Sequence, residues 1–239
     1  MMDELRFPNG LSADVLADMD LFEGVSEAAL VEIGTCASVR QLSKQTIVFV
    51  QGETASRCHA VLAGSVRITQ YDENGGQLVV RFIAPGEIFG AVALFTDGKY
   101  PAEAVAITDS VEISWTESVI RDLMERHPRI AINMLKVLGA RIREVQERLR
   151  ELATQRVECR IARVLLRLAA QAGHIEGLGT KIDFPLTRKD VADMCGTTLH
   201  TVSRVLAGWE KAGLIASGRQ RVTISQSEKI RQIAEDLPN

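Results

Sequence analysis

The chain has 239 residues, 46% of them hydrophobic, and a formal net charge of −3 at pH 7. The length exceeds the usual single domain, so two domains are expected. No run of about 18 uncharged apolar residues occurs, and Met1-Met2-Asp3-Glu4-Leu5-Arg6 lacks the charged-then-apolar order of a signal peptide, so the expectation is a cytoplasmic protein without membrane contact.

The charge is unevenly placed. Residues 1–155 hold 15 Lys+Arg against 22 Asp+Glu, net −7, whereas residues 156–239 hold 13 against 9, net +4. Only the C-terminal part suits a polyanion. Residues 13–34 carry two short helical patterns around Leu21-Phe22-Glu23-Gly24-Val25-Ser26, with Ser26 placed to cap a helix over 27–33. From Ile47 to Trp115 the pattern changes to short apolar runs at 48–50, 59–62, 66–71, 78–83, 104–107 and 111–115. They are separated by turn signals such as Ala63-Gly64-Ser65, Asp72-Glu73-Asn74-Gly75-Gly76 and Ala84-Pro85-Gly86-Glu87. Many short strands at near-even spacing predict a β-roll or barrel enclosing a pocket for a small ligand.

A short helix is expected from Glu117 to about Arg126, and His127-Pro128 opens a long one. Along it Ala131, Leu135, Leu138, Ile142, Val145, Leu149 and Leu152 alternate spacings of four and three, which is a coiled-coil seam. A helix packed on its own roll also needs an apolar stripe, but three heptads flanked by mixed charges favour a parallel dimer. A further helix is expected over 158–172.

Residues 187–215 read as a helix-turn-helix. Thr187 and Asp190 form a capping-box pattern, Val191, Ala192 and Met194 make a short apolar face, and Gly196 supplies the break. From Thr198 a second helix sets Leu199, Val202, Val205, Leu206 and Trp209 on one buried stripe and leaves His200, Thr201, Ser203 and Arg204 largely off it. Such a helix presents its N-terminal polar residues to base edges in the major groove of double-stranded DNA. Leu214-Ile215 and Ser217-Gly218-Arg219-Gln220-Arg221-Val222-Thr223-Ile224 add two strands around a basic turn, a wing whose arginines meet phosphate. An ordinary helical hairpin is the plain alternative, and the basic wing argues against it.

The fold expected is α+β, with a sensor roll at 1–127, a dimerisation helix at 128–155 and a winged helix-turn-helix at 156–239. No G-x-S-x-G turn, H-E-x-x-H, P-loop or Rossmann glycine pattern is present, so an enzyme is not expected. Cys36, Cys58, Cys159 and Cys195 form no C-x-x-C pair and read as small, mostly buried side chains.

Roll, seam helix and winged reader in this order resemble the Crp/Fnr superfamily of bacterial transcription regulators over about residues 20–235. The local carriers are Gly52-Glu53, Gly64-Ser65-Val66, Pro85-Gly86-Glu87-Ile88-Phe89-Gly90, Ala93-Leu94-Phe95, the run from Arg160 to Leu166, and Thr201-Val202-Ser203-Arg204. The resemblance implies a homodimer on a palindromic site, a roll that senses a signal, and RNA polymerase as a partner. The cyclic-AMP branch carries a phosphate cassette, Gly-Glu and then Arg-Ser about ten residues on. Here those positions are Gly90-Ala91 and Pro101-Ala102, with Glu103 beside them, so cyclic AMP is not expected as a ligand. An iron-sulfur cluster is not expected either, because no cysteine precedes Cys36.

Lys99-Tyr100-Pro101-Ala102-Glu103-Ala104 after Ala93-Leu94-Phe95, together with Gly196 to Arg204, is similar to the Dnr/NnrR-type branch. That likeness implies nitric oxide sensing through haem. Among four histidines, His200 belongs to DNA and His174 to a loop of the second domain, leaving His59 on a roll strand and His127 at the start of the long helix. His59, which could face the pocket, is the haem-ligand candidate. A non-haem effector, a thiol signal through Cys36 and Cys58, and a ligand-binding module acting on a protein partner are the alternatives.

In the reader, relatives that recognise a TTGA-type half-site carry Glu, then Ser and Arg at spacings of three and one. Ser203 and Arg204 match, and His200 stands in the Glu position. Arg204 is expected to donate to guanine O6 and N7, whereas Thr198, Thr201, Arg219 and Arg221 are expected at phosphate.

Overall fold

The computed structural model describes residues 13–177, 179–218 and 220–236. Its contacts divide into two compact units, residues 1–68 with 82–144 and residues 69–81 with 145–239.

The first unit opens with α1 (Ala13–Ala17), a 3-10 turn (Asp20–Phe22) and α2 (Glu27–Thr35). Ser26 caps α2 as its position predicts, its hydroxyl accepting from Ala29 N at 3.4 Å. Eight strands follow in the chain: β1 (Ser38–Leu42), β2 (Ile47–Phe49), β3 (Arg57–Ala63), β4 (Val66–Tyr71), β5 (Gln77–Ile83), β6 (Ile88–Phe89), β7 (Glu103–Ala106) and β8 (Ser110–Thr116), the end of β4 and most of β5 being counted with the second unit. They form two four-stranded sheets, ordered β1-β8-β3-β6 and β2-β7-β4-β5. The turn between β3 and β4 needs Gly64. Its φ is +83°, and a Cβ there would sit 2.3 Å from Ser110 Oγ and 2.5 Å from the Asp109 carbonyl oxygen.

The period of two divides the chemistry of the first sheet. On one face Cys58, Ala60, Ile113 and Trp115 are buried in the main hydrophobic core with Phe22, Ile33, Ile120, Leu123 and Ile130. Trp115 stands edge-on to Phe22 at 5.4 Å, and its Nε1–H donates to the Ile33 carbonyl at 2.9 Å. On the other face lie Arg57, His59, Glu112 and Ser114, with Ser38 and Arg40 of β1 in register beside β8. This second face explains why β1 is not among the predicted strands: its cleft-facing positions are polar, so the apolar alternation is missing.

Thr116 caps α3 (Glu117–Arg126), and α4 (Pro128–Thr154) runs 27 residues from a proline at its first position. Asn133 Nδ2 donates to the carbonyls of Leu21 at 3.1 Å and Glu23 at 2.8 Å, which ties α4 to the lead-in.

In the second unit α5 (Val157–Ala172) leads into a hairpin of β9 (Gly173–Glu176) and β10 (Gly179–Ile182). Next come α6 (Arg188–Cys195), α7 (Leu199–Lys211), β11 (Ile215–Gly218), β12 (Arg221–Ile224) and α8 (Ser227–Ala234), with strand order β11-β12-β10-β9. His174, expected in a loop, lies on β9. The last turns of α4 belong to this unit. The nearly buried Glu151 accepts from Arg167 at 2.8 Å and faces Arg163 at 3.8 Å, and Arg148 donates to the Val80 carbonyl.

Candidate functional site

Local capping sets up the reader. The Thr187 hydroxyl accepts from Asp190 N at 3.0 Å and the Asp190 carboxylate accepts from Thr187 N at 2.8 Å, so the capping box is complete. Such caps contribute about 1 kcal/mol. Gly196 ends α6 in the left-handed region, φ +61°, and a Cβ there would also lie 2.7 Å from Leu152 Cδ2. Thr198 then caps α7 by accepting from Thr201 N at 3.2 Å.

Val202, Val205, Leu206 and Trp209 form the buried stripe of α7. Leu199 does not join them: it is 49% exposed. Side chains tilt toward a helix's N-terminus, so at the first helical residue Leu199 leans off the end of the packed surface. His200 and Arg204 are exposed, and Thr201 and Ser203 are partly exposed. Four of the predicted DNA-facing side chains therefore share one open helix face with Leu199. Thr198 is exposed at the cap and Arg221 is exposed on the wing, where it pairs with Gly218, while Arg219 lies outside the described residues.

Of the seam, Leu135, Ile142, Val145, Leu149 and Leu152 are between 48% and 69% exposed, as is Ile132 at 49%. Leu138 departs from this pattern and packs partly against the core of the first unit.

The candidate effector residue His59 is buried and engaged at both ring nitrogens. Nδ1 bonds the Glu112 carboxylate and Nε2 lies 3.2 Å from the Tyr100 hydroxyl. Its ring stacks on Phe89 at 5.2 Å. Burial alone would push the Glu112 carboxyl up, but the bond and charge of His59, joined by Arg40 at 2.8 Å, hold it below the ordinary carboxylate range. Gly90 of the cassette position, φ +73°, backs directly onto this group, since a Cβ there would meet His59, Tyr100 and Phe49 within 3.0–3.2 Å. Ala91 and Ala102 are buried and Pro101 is exposed.

Among the described residues no cluster of three or more His, Cys, Asp or Glu could hold a metal ion. Cys58, Cys159 and Cys195 are buried and Cys36 is exposed. Burial pushes the Cys58 and Cys195 thiols up to about 12, far from thiolate reactivity. No described helix is long and apolar enough to cross a membrane.

Residues 39–127 match the cyclic nucleotide-binding domain family, and residues 159–233 match the Crp-like helix-turn-helix domain. The cyclic AMP receptor protein of Thermus thermophilus is 30% identical over 190 residues, which are 80% of this chain and 85% of that protein. The chain belongs to the Crp/Fnr family of transcription regulators. Another relative of this Crp/Fnr regulator is the CRP-like cAMP-activated global transcriptional regulator of Mycobacterium tuberculosis, 27% identical over 221 residues, 92% of this chain and 99% of that one. In fold it is like FixK2 from Bradyrhizobium japonicum, with a TM-score of 0.73 at 22% identity over 82% of this chain and 96% of that one. In this regulator α7 thus lies in a Crp-like helix-turn-helix, and the roll is its cyclic-nucleotide-binding-like sensing domain.

Proposed function

We propose that this regulator acts as a cytoplasmic homodimer on a palindromic duplex, reads each half-site through α7, and responds to a roll-borne signal other than cyclic AMP. The division into roll (1–127), pairing helix (128–155) and reader (156–239) follows from that reading, with RNA polymerase as the protein that the bound dimer meets. The single observation that carries the specificity is the exposed helix face bearing His200, Ser203 and Arg204. Arg204 donates two bonds to a half-site guanine, which is worth about 1–3 kcal/mol of discrimination. Thr198, Thr201 and the wing arginines Arg219 and Arg221 meet phosphate. Leu199 offers an apolar contact to a thymine methyl. His200 donates or accepts where a glutamate only accepts, so the base opposite it differs from the cytosine that Glu selects.

Selection of bound duplexes from a randomised pool tests this directly. Arg204→Ala is expected to flatten preference at one position per half-site, and His200→Glu to restore a cytosine contact at another. Unchanged selectivity in both variants would overturn the assignment. Binding that does not weaken with salt would favour a module acting on a protein partner instead.

Loss of the cassette cation supports exclusion of cyclic AMP. With Pro101-Ala102 in place of Arg-Ser, a buried cyclic phosphate would meet no counter-charge from the cassette, and Glu103 stands close by. Nitric oxide sensed through haem asks His59 to give a ring nitrogen to iron. Both nitrogens are bonded and the ring is enclosed by Phe49 and Phe89, so the residues do not fit an axial ligand. A small molecule of other chemistry is the signal the roll supports best. On addition of haem to the purified protein, His59→Ala is expected to leave the Soret band where the parent chain has it; a band lost only in the variant would reinstate haem.

A further inference from the structure

We propose that the cleft over the polar face of β1, β3 and β8 is a binding site for a small zwitterion of the amino-acid class. The cleft has a volume of about 310 Å³, at the small end of the range for metabolite sites, and the cassette positions Gly90, Ala91, Pro101 and Ala102 are not part of its lining. Its lining is thus distinct from the cassette positions, although Gly90 backs onto His59, Tyr100 and Phe49 from behind.

The charges of the lining decide the ligand. Arg40 is taken by Glu112, and Glu112 is shared with His59, so that set is internally matched. Arg57 is not. Its Nε donates to Ser114 Oγ at 3.0 Å and its Nη2 to Ser38 Oγ at 2.8 Å, two neutral hydroxyls that fix the guanidinium plane without neutralising it. No carboxylate among the described residues pairs with it. Glu53 is the converse: one oxygen accepts from Val50 N at 3.1 Å, the other is open, and no cation among the described residues pairs with the side chain.

Arg57 and Glu53 line the same cleft without forming an ion pair with each other. A bare anion entering it would satisfy Arg57 and be repelled by Glu53, and a bare cation would meet the reverse. A molecule carrying both charges a few bonds apart answers both, its carboxylate on the free edge of the Arg57 fork and its ammonium on Glu53. Phe49, stacked on Tyr100 at 3.8 Å and 8°, gives the largely polar lining an aromatic part, which suits an apolar or aromatic side chain.

Calorimetric titration of the full-length protein tests the assignment with three probes that share one ring. L-phenylalanine is expected to bind. Phenethylamine, which lacks the carboxylate, and 3-phenylpropionate, which lacks the ammonium, are expected to bind at least roughly tenfold more weakly. Glu53→Gln keeps an acceptor for Val50 N and is expected to lose roughly tenfold or more in affinity for L-phenylalanine with 3-phenylpropionate unchanged. Arg57→Gln is expected to lose both carboxylate-bearing probes, and Arg57→Lys, which keeps the charge but not the fork, serves if the glutamine variant fails to fold. Equal binding of L-phenylalanine and 3-phenylpropionate would overturn the zwitterion assignment in favour of a simple anion. Absence of binding by all three probes at roughly 10 mM would overturn the site.

Discussion

An Ile142→Glu, Leu149→Glu double variant is expected to sediment as a monomer at concentrations where the parent chain is a dimer. Both side chains lie among the most exposed large hydrophobics of the chain, at 60% and 67%, on the 27-residue α4. Apolar residues so placed at seam spacing form the proposed pairing surface, which a second copy would cover. Two positions on each of two protomers remove four buried side chains. At about 1.5 kcal/mol each this is roughly 6 kcal/mol, on the order of 10⁴ in the dissociation constant, before the repulsion of facing carboxylates. Affinity for an isolated half-site is expected to change little, while affinity for the full palindrome falls because the two readers no longer share one binding event. A double variant that remains dimeric at micromolar concentration would show that pairing does not run along α4.

Trp115→Ala should be the most damaging single substitution in the first unit. The side chain is fully buried, and it packs edge-on against Phe22 while its Nε1–H satisfies the Ile33 carbonyl. Truncation opens a cavity and leaves that carbonyl without its donor, a loss of about 3–5 kcal/mol. For a chain of this size the melting temperature is expected to fall by roughly 6–20 °C. Trp115→Phe keeps a six-membered ring and so loses less volume, and the orphaned Ile33 carbonyl contributes about 1–3 kcal/mol of its cost. Thermal unfolding followed by circular dichroism separates the two variants. A shift of only a few degrees for the alanine variant would mean that the lead-in helices do not depend on this residue.

Elements whose chemistry is local could be read from the letters alone. Thr187, Asp190, Gly196 and Thr198 act within a few residues of themselves, so caps, break and recognition helix stand where their spacing puts them. Strands β3, β5 and β8 were visible because one face of each is apolar. Where both faces carry chemistry, or where an element is very short, the pattern fails. Ser38 and Arg40 hide β1, β6 has two residues, and α8 begins without a side-chain cap. The cleft was beyond reach for another reason. His59 meets Tyr100 and Glu112 across separations of 41 and 53 residues, and no periodicity encodes which inward positions of distant strands will touch. His59 stands out in the sequence, but its partners do not.

Leu152 has a consequence beyond pairing. Its methyl group occupies the space that any side chain at position 196 would need, and the backbone there is already left-handed. A side chain at position 196 is therefore disfavoured on two counts, the left-handed backbone and the methyl of Leu152, and shortening Leu152 would relieve only the second. The same leucine stands on the proposed pairing seam and against the bend of the helix-turn-helix. A substitution at 152 is therefore expected to weaken DNA binding even where a dimer survives, so that loss of binding there does not by itself report loss of pairing.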